Sequence, residues 1–321
     1  MELSAIYDLI QEDLDKVEDR LRSLSQVDFP HLSELLDYSL KSNGKRIRPV
    51  LTLLSGKFYD YNLDYLLPMA TAVEVMHTAT LVHDDAIDNS LVRRGSPTVY
   101  KLWGKEKAVL LGDYLFAEAG ALTATTQNLR VIKLFADTLK TISRGELNQA
   151  FYAFNLEQGH QQYIQRVSKK TAALFSMATE SGAALSQAPE ESIQILIEYG
   201  HNLGIAFQIV DDILDFIGTE EELGKPVGSD LTQGTLTLPA LLLLEYYPED
   251  NPVRKFFSHR DELDNIKLAI ELVRNSPIIE ECYQVASDYC AKACRNLKLL
   301  PDNANCQSLI NLADYVVNRK R

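Results

Sequence analysis

The chain has 321 residues, 46% of them hydrophobic and 24% charged, with a mean hydropathy of −0.13, which excludes disorder, collagen-like repeats and a multispan membrane protein. Forty-five Asp and Glu against 32 Lys and Arg leave a net charge of −13, a field that repels nucleic acid and anionic lipid surfaces. Small anionic substrates are still admissible where metal ions sit between them and the carboxylates.

The N-terminal stretch repeats Leu3, Ile6, Leu9, Ile10, Leu14, Val17, Leu21 and Leu24 at helical spacing. It is acidic and amphipathic, lacks the basic-then-apolar order of a secretory leader, and predicts a cytoplasmic chain. Gly44-Lys45-Arg46-Ile47-Arg48-Pro49 is a basic turn. A long apolar helical run, Met69 to Val82, then ends in His83-Asp84-Asp85-Ala86-Ile87-Asp88. Arg93-Arg94-Gly95 follows within a few residues, and Lys169-Lys170-Thr171 lies mid-chain. A second apolar run, Leu203 to Ile209, leads into Val210-Asp211-Asp212-Ile213-Leu214-Asp215. Beyond it a glycine- and proline-rich stretch, Gly218 to Pro239, carries Lys225 and Asp230 and predicts a loop. The longest purely apolar run after Pro239, Ala240 to Leu244, is far shorter than a membrane span. Cys282, Cys290, Cys294 and Cys306 have no metal-finger spacing and read as reduced core thiols. Period-two strands are absent, breakers define ten or more helices, and no linker or repeat divides the chain. The expectation is an all-α fold formed by one helical domain, 1–321.

Each acidic motif carries three aspartates spaced so that one side of a helix presents them together. Like charges repel there, aspartate is a poor helix former, and the C-terminal dipole disfavours anions. Divalent cations relieve this arrangement, and an all-oxygen donor set suits Mg²⁺, which retains waters and phosphate oxygens. Arginines packed among Gly and Pro suit bidentate phosphate contacts. Carboxylates for metal plus Arg and Lys for phosphate specify a diphosphate site.

On these residues, together with Glu74 to Asp88, Gly112-Asp113-Tyr114-Leu115, Lys170-Thr171 and Gly204 to Asp215, the chain resembles the trans-type polyprenyl diphosphate synthases. The matching segments run in the family's order over roughly 40–240. The resemblance implies an all-α helical barrel of the isoprenoid synthase type around a deep central cavity, usually as a homodimer. It implies that Asp84, Asp88 and Asp211 bind a cluster of three Mg²⁺ ions, with Asp85, Asp212 and Asp215 as further direct or water-mediated ligands. Arg93, Lys170 and Lys225 would grip an allylic diphosphate. Lys45, Arg48, His77 and Arg94 would bind isopentenyl diphosphate, with His77 an anion contact before a general base and a satisfied buried histidine as its bland reading. Gln208 and Thr171 would stabilise the allylic cation, the condensation losing its proton to released diphosphate. His83 reads as structural. After Asp230 the family often has Gly-Lys-x-Thr, whereas Gly234-Thr235-Leu236-Thr237 lacks that lysine.

In this family the product grows along the helix that ends at Asp84, and bulky residues four or five positions earlier stop it. Here these are Thr80 and Ala79, both small, with Met76 one turn deeper as a partial floor. Ala117, Ala119, Gly120, Ala121 and Ala124 form either an opposite wall or a close helix contact. The implied activity is a medium- or long-chain polyprenyl diphosphate synthase whose product partitions to membranes. Geranylgeranyl or farnesyl diphosphate synthase is the within-family alternative. A terpene cyclase and a silent regulatory subunit are the competing classes; a cyclase needs no second DDxxD, and a silent subunit usually loses one of the two.

Overall fold

A computed structural model describes residues 6–41, 44–219, 226–301 and 304–319. In chain order the α-helices are α1 Gln11–Ser23, α2 Pro30–Leu40, α3 Ile47–Gly56, α4 Leu63–Ile87, α5 Val99–Trp103, α6 Lys105–Ala124, α7 Leu129–Phe151, α8 His160–Val167, α9 Ala173–Leu185, α10 Glu190–Ile217, α11 Ser229–Thr232, α12 Leu238–Tyr246, α13 Pro252–Ser258, α14 Asp264–Arg274, α15 Ile278–Cys294 and α16 Ala304–Asn318. The all-α expectation holds, and the helices among the described residues agree with the ten or more that the breakers define. Among the described residues the one departure is a hairpin of two-residue strands, β1 Val92–Arg93 and β2 Ser96–Pro97, too short to leave a period-two signal.

Local chemistry explains the main boundaries. Asn62 caps α4 by accepting from the Asp64 N–H at 2.9 Å. Pro49 falls in the first turn of α3, where its missing N–H costs nothing. The helices α4 and α6 lie so close that a Cβ at Gly112 would fall 2.1 Å from the His83 ring. His83 therefore fills a slot against α6, its Nε2 bonded to the Val109 carbonyl at 2.9 Å, in keeping with a structural part.

The apolar interior comprises two adjoining clusters, one built on α3, α4, α6 and α9, the other on α12 to α15. The helix α10 belongs to both, giving Leu203 and Ala206 to the first and Ile205, Ile209, Val210 and Ile213 to the second. Between Met69 and Ala86 α4 is mostly buried; besides His83, packed against α6, partial exposure there recurs at His77, Thr80, Leu81 and Asp84, with Asp88 exposed at the C-cap. That spacing is one helical face, and it runs from the acidic motif down into the interior. Among the described residues no helix is long and apolar enough to cross a membrane.

Candidate active site

The two acidic motifs occupy the C-terminal ends of α4 and α10, and their six carboxylates divide into distinct environments. Asp85 accepts from Arg93 Nε at 2.9 and 3.0 Å and from Nη2 at 2.8 Å. Asp211 accepts from Arg319 Nη2 at 2.7 Å. Asp212 is enclosed, its oxygens taking hydrogen bonds from Tyr163 (2.6 Å) and Gln208 Nε2 (2.8 Å). Asp215 accepts from the Ser229 hydroxyl (3.0 Å) and the Asp230 N–H (3.3 Å), which fastens the start of α11. Asp84 and Asp88 alone carry no side-chain hydrogen bond or ion pair among the described residues. Asp212 and Asp215 are both buried, and each accepts hydrogen bonds from protein donors, as buried carboxylates must.

The two motifs share one electrostatic neighbourhood. Burial raises the Asp88 carboxyl, Asp84 and Asp230 add to the rise, and Lys170 and Arg93 oppose it. Burial, then Asp230, pushes Asp212 up to about 7. Carboxyls that resist ionisation where they stand are sites at which a cation is rewarded. No three acidic or imidazole groups among the described residues converge closely enough to hold a metal by themselves. Two unpartnered aspartates with only oxygen donors fit an ion such as Mg²⁺, which takes its remaining ligands from water and substrate phosphate.

Lys170 and Thr171 lie on a π-helical segment, Ser168–Ala172, between α8 and α9. Such bulges re-aim side chains and concentrate at functional sites. Two glycines permit it: a Cβ at Gly204 would sit 2.6 Å from Ala172 Cα, and one at Gly145 would sit 3.2 Å from the Lys170 nitrogen. Lys170 Nζ pairs with Glu146 at 2.9 Å; Asp84 and Glu146 hold its ammonium above the usual range against the cost of burial. The Thr171 hydroxyl donates to Gln208 Oε1 at 2.6 Å.

The second basic group gathers at the far side of α4. Arg93 and Arg94 sit on the hairpin, whose central residues Arg94 and Gly95 have φ of 51° and 77°, the positive values that two-residue turns of this kind require. Non-glycine backbone strain of this sort collects where a side chain must be aimed. Arg48 stacks on Phe175 at 4.8 Å, and its Nε is buried without a partner. Burial lowers its guanidinium to about 10, Glu74 opposing and Arg94 reinforcing. Burial followed by Arg48, Arg94, Arg93 and Arg46 drives His77 well below its ordinary value, which favours the neutral imidazole. Lys45 Nζ lies 5.2 Å over the Tyr315 ring. Lys225 is outside the described residues. Arg46, from the same basic turn, is no part of this group: it is ion-paired to Glu18 and, at 2.8 Å, to Glu74, and donates to the Leu40 carbonyl.

Met76 and Ala79 are fully buried, whereas Thr80 lies on the partly exposed stripe, four residues before Asp84. Of the small residues singled out on α6, Ala119 is fully buried and Gly120 partly so, while Ala117, Ala121 and Ala124 are exposed. Thr235 is buried, its N–H bonded to the Asp230 carbonyl at 2.9 Å.

Residues 29–273 match the polyprenyl synthetase family. The chain belongs to that family. This synthase is 38% identical over 321 residues, 99% of each chain, to heptaprenyl diphosphate synthase component 2 of Geobacillus stearothermophilus. It superposes with a TM-score of 0.92 on a decaprenyl diphosphate synthase from Rhodobacter capsulatus, at 36% identity over 100% of both chains. The polyprenyl synthase from Caulobacter crescentus CB15 complexed with calcium and isoprenyl diphosphate gives 0.95 at 32% identity, covering 100% of this chain and 98% of that one. The synthase is a prenyltransferase with an all-α isoprenoid synthase fold.

Three residues of the site escape a reading of the motifs: Glu146, Tyr163 and Arg319. Only Glu146 leaves a signal, since the Gly145 before it interrupts a helical pattern, which implies close packing there.

Proposed function

We propose that this synthase condenses isopentenyl diphosphate with an allylic diphosphate, in a Mg²⁺-dependent reaction, to an all-trans polyprenyl diphosphate longer than farnesyl. The observation that carries the reading is the pair Asp84 and Asp88, left without protein donors beside Lys170 and Arg93 and across from the second motif. Bound there, Mg²⁺ supplies Lewis-acid neutralisation of the charge that develops on the leaving diphosphate. Lys170, and Arg93 on release from Asp85, clamp that group. Lys45, Arg48 and Arg94 hold the second diphosphate, where a buried guanidinium Nε lacks a partner, and neutral His77 donates one hydrogen bond. Gln208 Oε1 and the Thr171 oxygen turn negative dipole ends toward the allylic cation.

Small Thr80 supports growth past a farnesyl-sized product, and relatives that make heptaprenyl and decaprenyl chains support the longer product over geranylgeranyl or farnesyl. Exposed Leu110 on α6 and Leu147 and Phe151 on the neighbouring α7 support a homodimer. A second reading follows from the relative named component 2: this chain is the catalytic half of a two-component enzyme. Replacing Asp84 or Asp88 by Asn tests the metal assignment. The expected result is a fall in kcat of ~10²-fold or more with the fold intact; unchanged turnover refutes it.

A further inference from the structure

We propose that Tyr163 is a positioning residue for the prenyl transfer, acting through Asp212 to fix which end of the Gln208 amide faces the reacting carbon. This rests on the synthase reading above and deepens it. The Tyr163 hydroxyl, on a side chain 1% exposed, donates to Asp212 Oδ2 at 2.6 Å. The other carboxylate oxygen, Oδ1, accepts from Gln208 Nε2 at 2.8 Å, and Gln208 Oε1 accepts from the Thr171 hydroxyl at 2.6 Å. The chain has one polarity, Tyr163 to Asp212 and Thr171 to Gln208 to Asp212, because both Asp212 oxygens are already acceptors, one from the tyrosine hydroxyl and one from the amide NH₂.

That polarity settles the amide. A flipped Gln208 would aim its carbonyl at the Asp212 carboxylate, oxygen against oxygen, and confront the Thr171 hydroxyl with an NH₂ group. As long as Asp212 is held in place, the Gln208 oxygen remains on the Thr171 side, where both oxygens present lone pairs. Tyr163 is what holds it. Its own anchorage is firm: the Arg166 guanidinium lies 5.6 Å over its ring and is tied to the Leu236 carbonyl at 2.5 Å and to Gln158 at 3.1 Å. Without the Tyr163 hydroxyl, Asp212 Oδ2 is a buried acceptor that has lost its donor; the carboxylate then rotates to find another, which releases Gln208.

The test uses the full-length protein and the variants Tyr163→Phe, Gln208→Ala and the double variant, with kcat and both KM values measured with isopentenyl and farnesyl diphosphates. A thermal shift with Mg²⁺ and inorganic diphosphate is the readout independent of turnover. Tyr163→Phe is expected to lower kcat about tenfold with both KM values within about twofold, and to leave the diphosphate shift of the wild type in place. The double variant should be no slower than Gln208→Ala alone, a coupling equal to that tenfold factor, ~1.4 kcal/mol. Additive losses, a loss carried by KM or by the diphosphate shift, or unchanged kcat in Tyr163→Phe each overturn the proposal. If Tyr163→Phe does not fold, 3-fluorotyrosine at the same position retains ring and hydroxyl with altered donor strength. A change in kcat at constant KM then supports the assignment, and an unchanged kcat overturns it. An inactive wild type would instead count against the synthase reading itself.

Discussion

Thr80→Phe is the sharpest probe of how product length is set. Thr80 stands four residues before Asp84 on the same face of α4, about 6 Å along the helix axis from the first carboxylate. It is only partly buried, its hydroxyl bonded back to the His77 carbonyl at 2.7 Å. A phenyl ring there replaces a side chain that is already partly exposed, so the fold should lose less than about 1 kcal/mol. Ala79, one position away and fully buried, is a different environment. A ring there overpacks the wall at a cost of about 1–3 kcal/mol, which lowers the melting temperature by several degrees. Both variants should shorten the product, Thr80→Phe at nearly wild-type stability and Ala79→Phe or Ala79→Tyr at visible cost. Mass spectrometry of the dephosphorylated products and a thermal melt of each protein give the answer. An unchanged chain-length distribution in Thr80→Phe would refute the growth path along this stripe.

Chelation with EDTA should abolish turnover and added Mg²⁺ restore it; turnover that persists in EDTA contradicts the carboxylate assignment. Arg46→Met should cost about 3–5 kcal/mol in urea unfolding, since Glu74, 4% exposed, loses its ion-pair partner; a change below about 1 kcal/mol would show the pair to be idle. His77 titrates well below its ordinary value, so the unfolded chain binds a proton that the folded one refuses. Its stabilising contribution is present above about pH 6.5 and is lost as pH falls. His77→Asn should therefore lose about 1 kcal/mol less than wild type between pH 6.5 and 5.5, and equal losses would disprove a neutral imidazole.

The acidic motifs were legible because three like charges after an apolar stripe have no folding rationale, and the helical class followed from spacing alone. The basic turn was legible only as a group. Arg46 and Arg48 are two residues apart, so they leave α3 in different directions: one enters an ion-pair triad with Glu18 and Glu74, the other lies over Phe175 with its Nε unpaired. Charge and spacing cannot tell these apart. The carboxylates posed the same difficulty, since Asp85, Asp211, Asp212 and Asp215 are occupied by partners that the motif does not contain. Tyr163 meets Asp212 from 49 positions away and Arg319 meets Asp211 from 108, separations at which no local pattern operates. The π segment beneath Lys170 was equally hidden, because it arises from contact with Gly145 and Gly204 on other helices.

The central claim is that this chain alone elongates an allylic diphosphate. Purified protein incubated with Mg²⁺, farnesyl diphosphate and labelled isopentenyl diphosphate should yield labelled all-trans polyprenyl chains longer than farnesyl. No incorporation of label without a second protein component would contradict it.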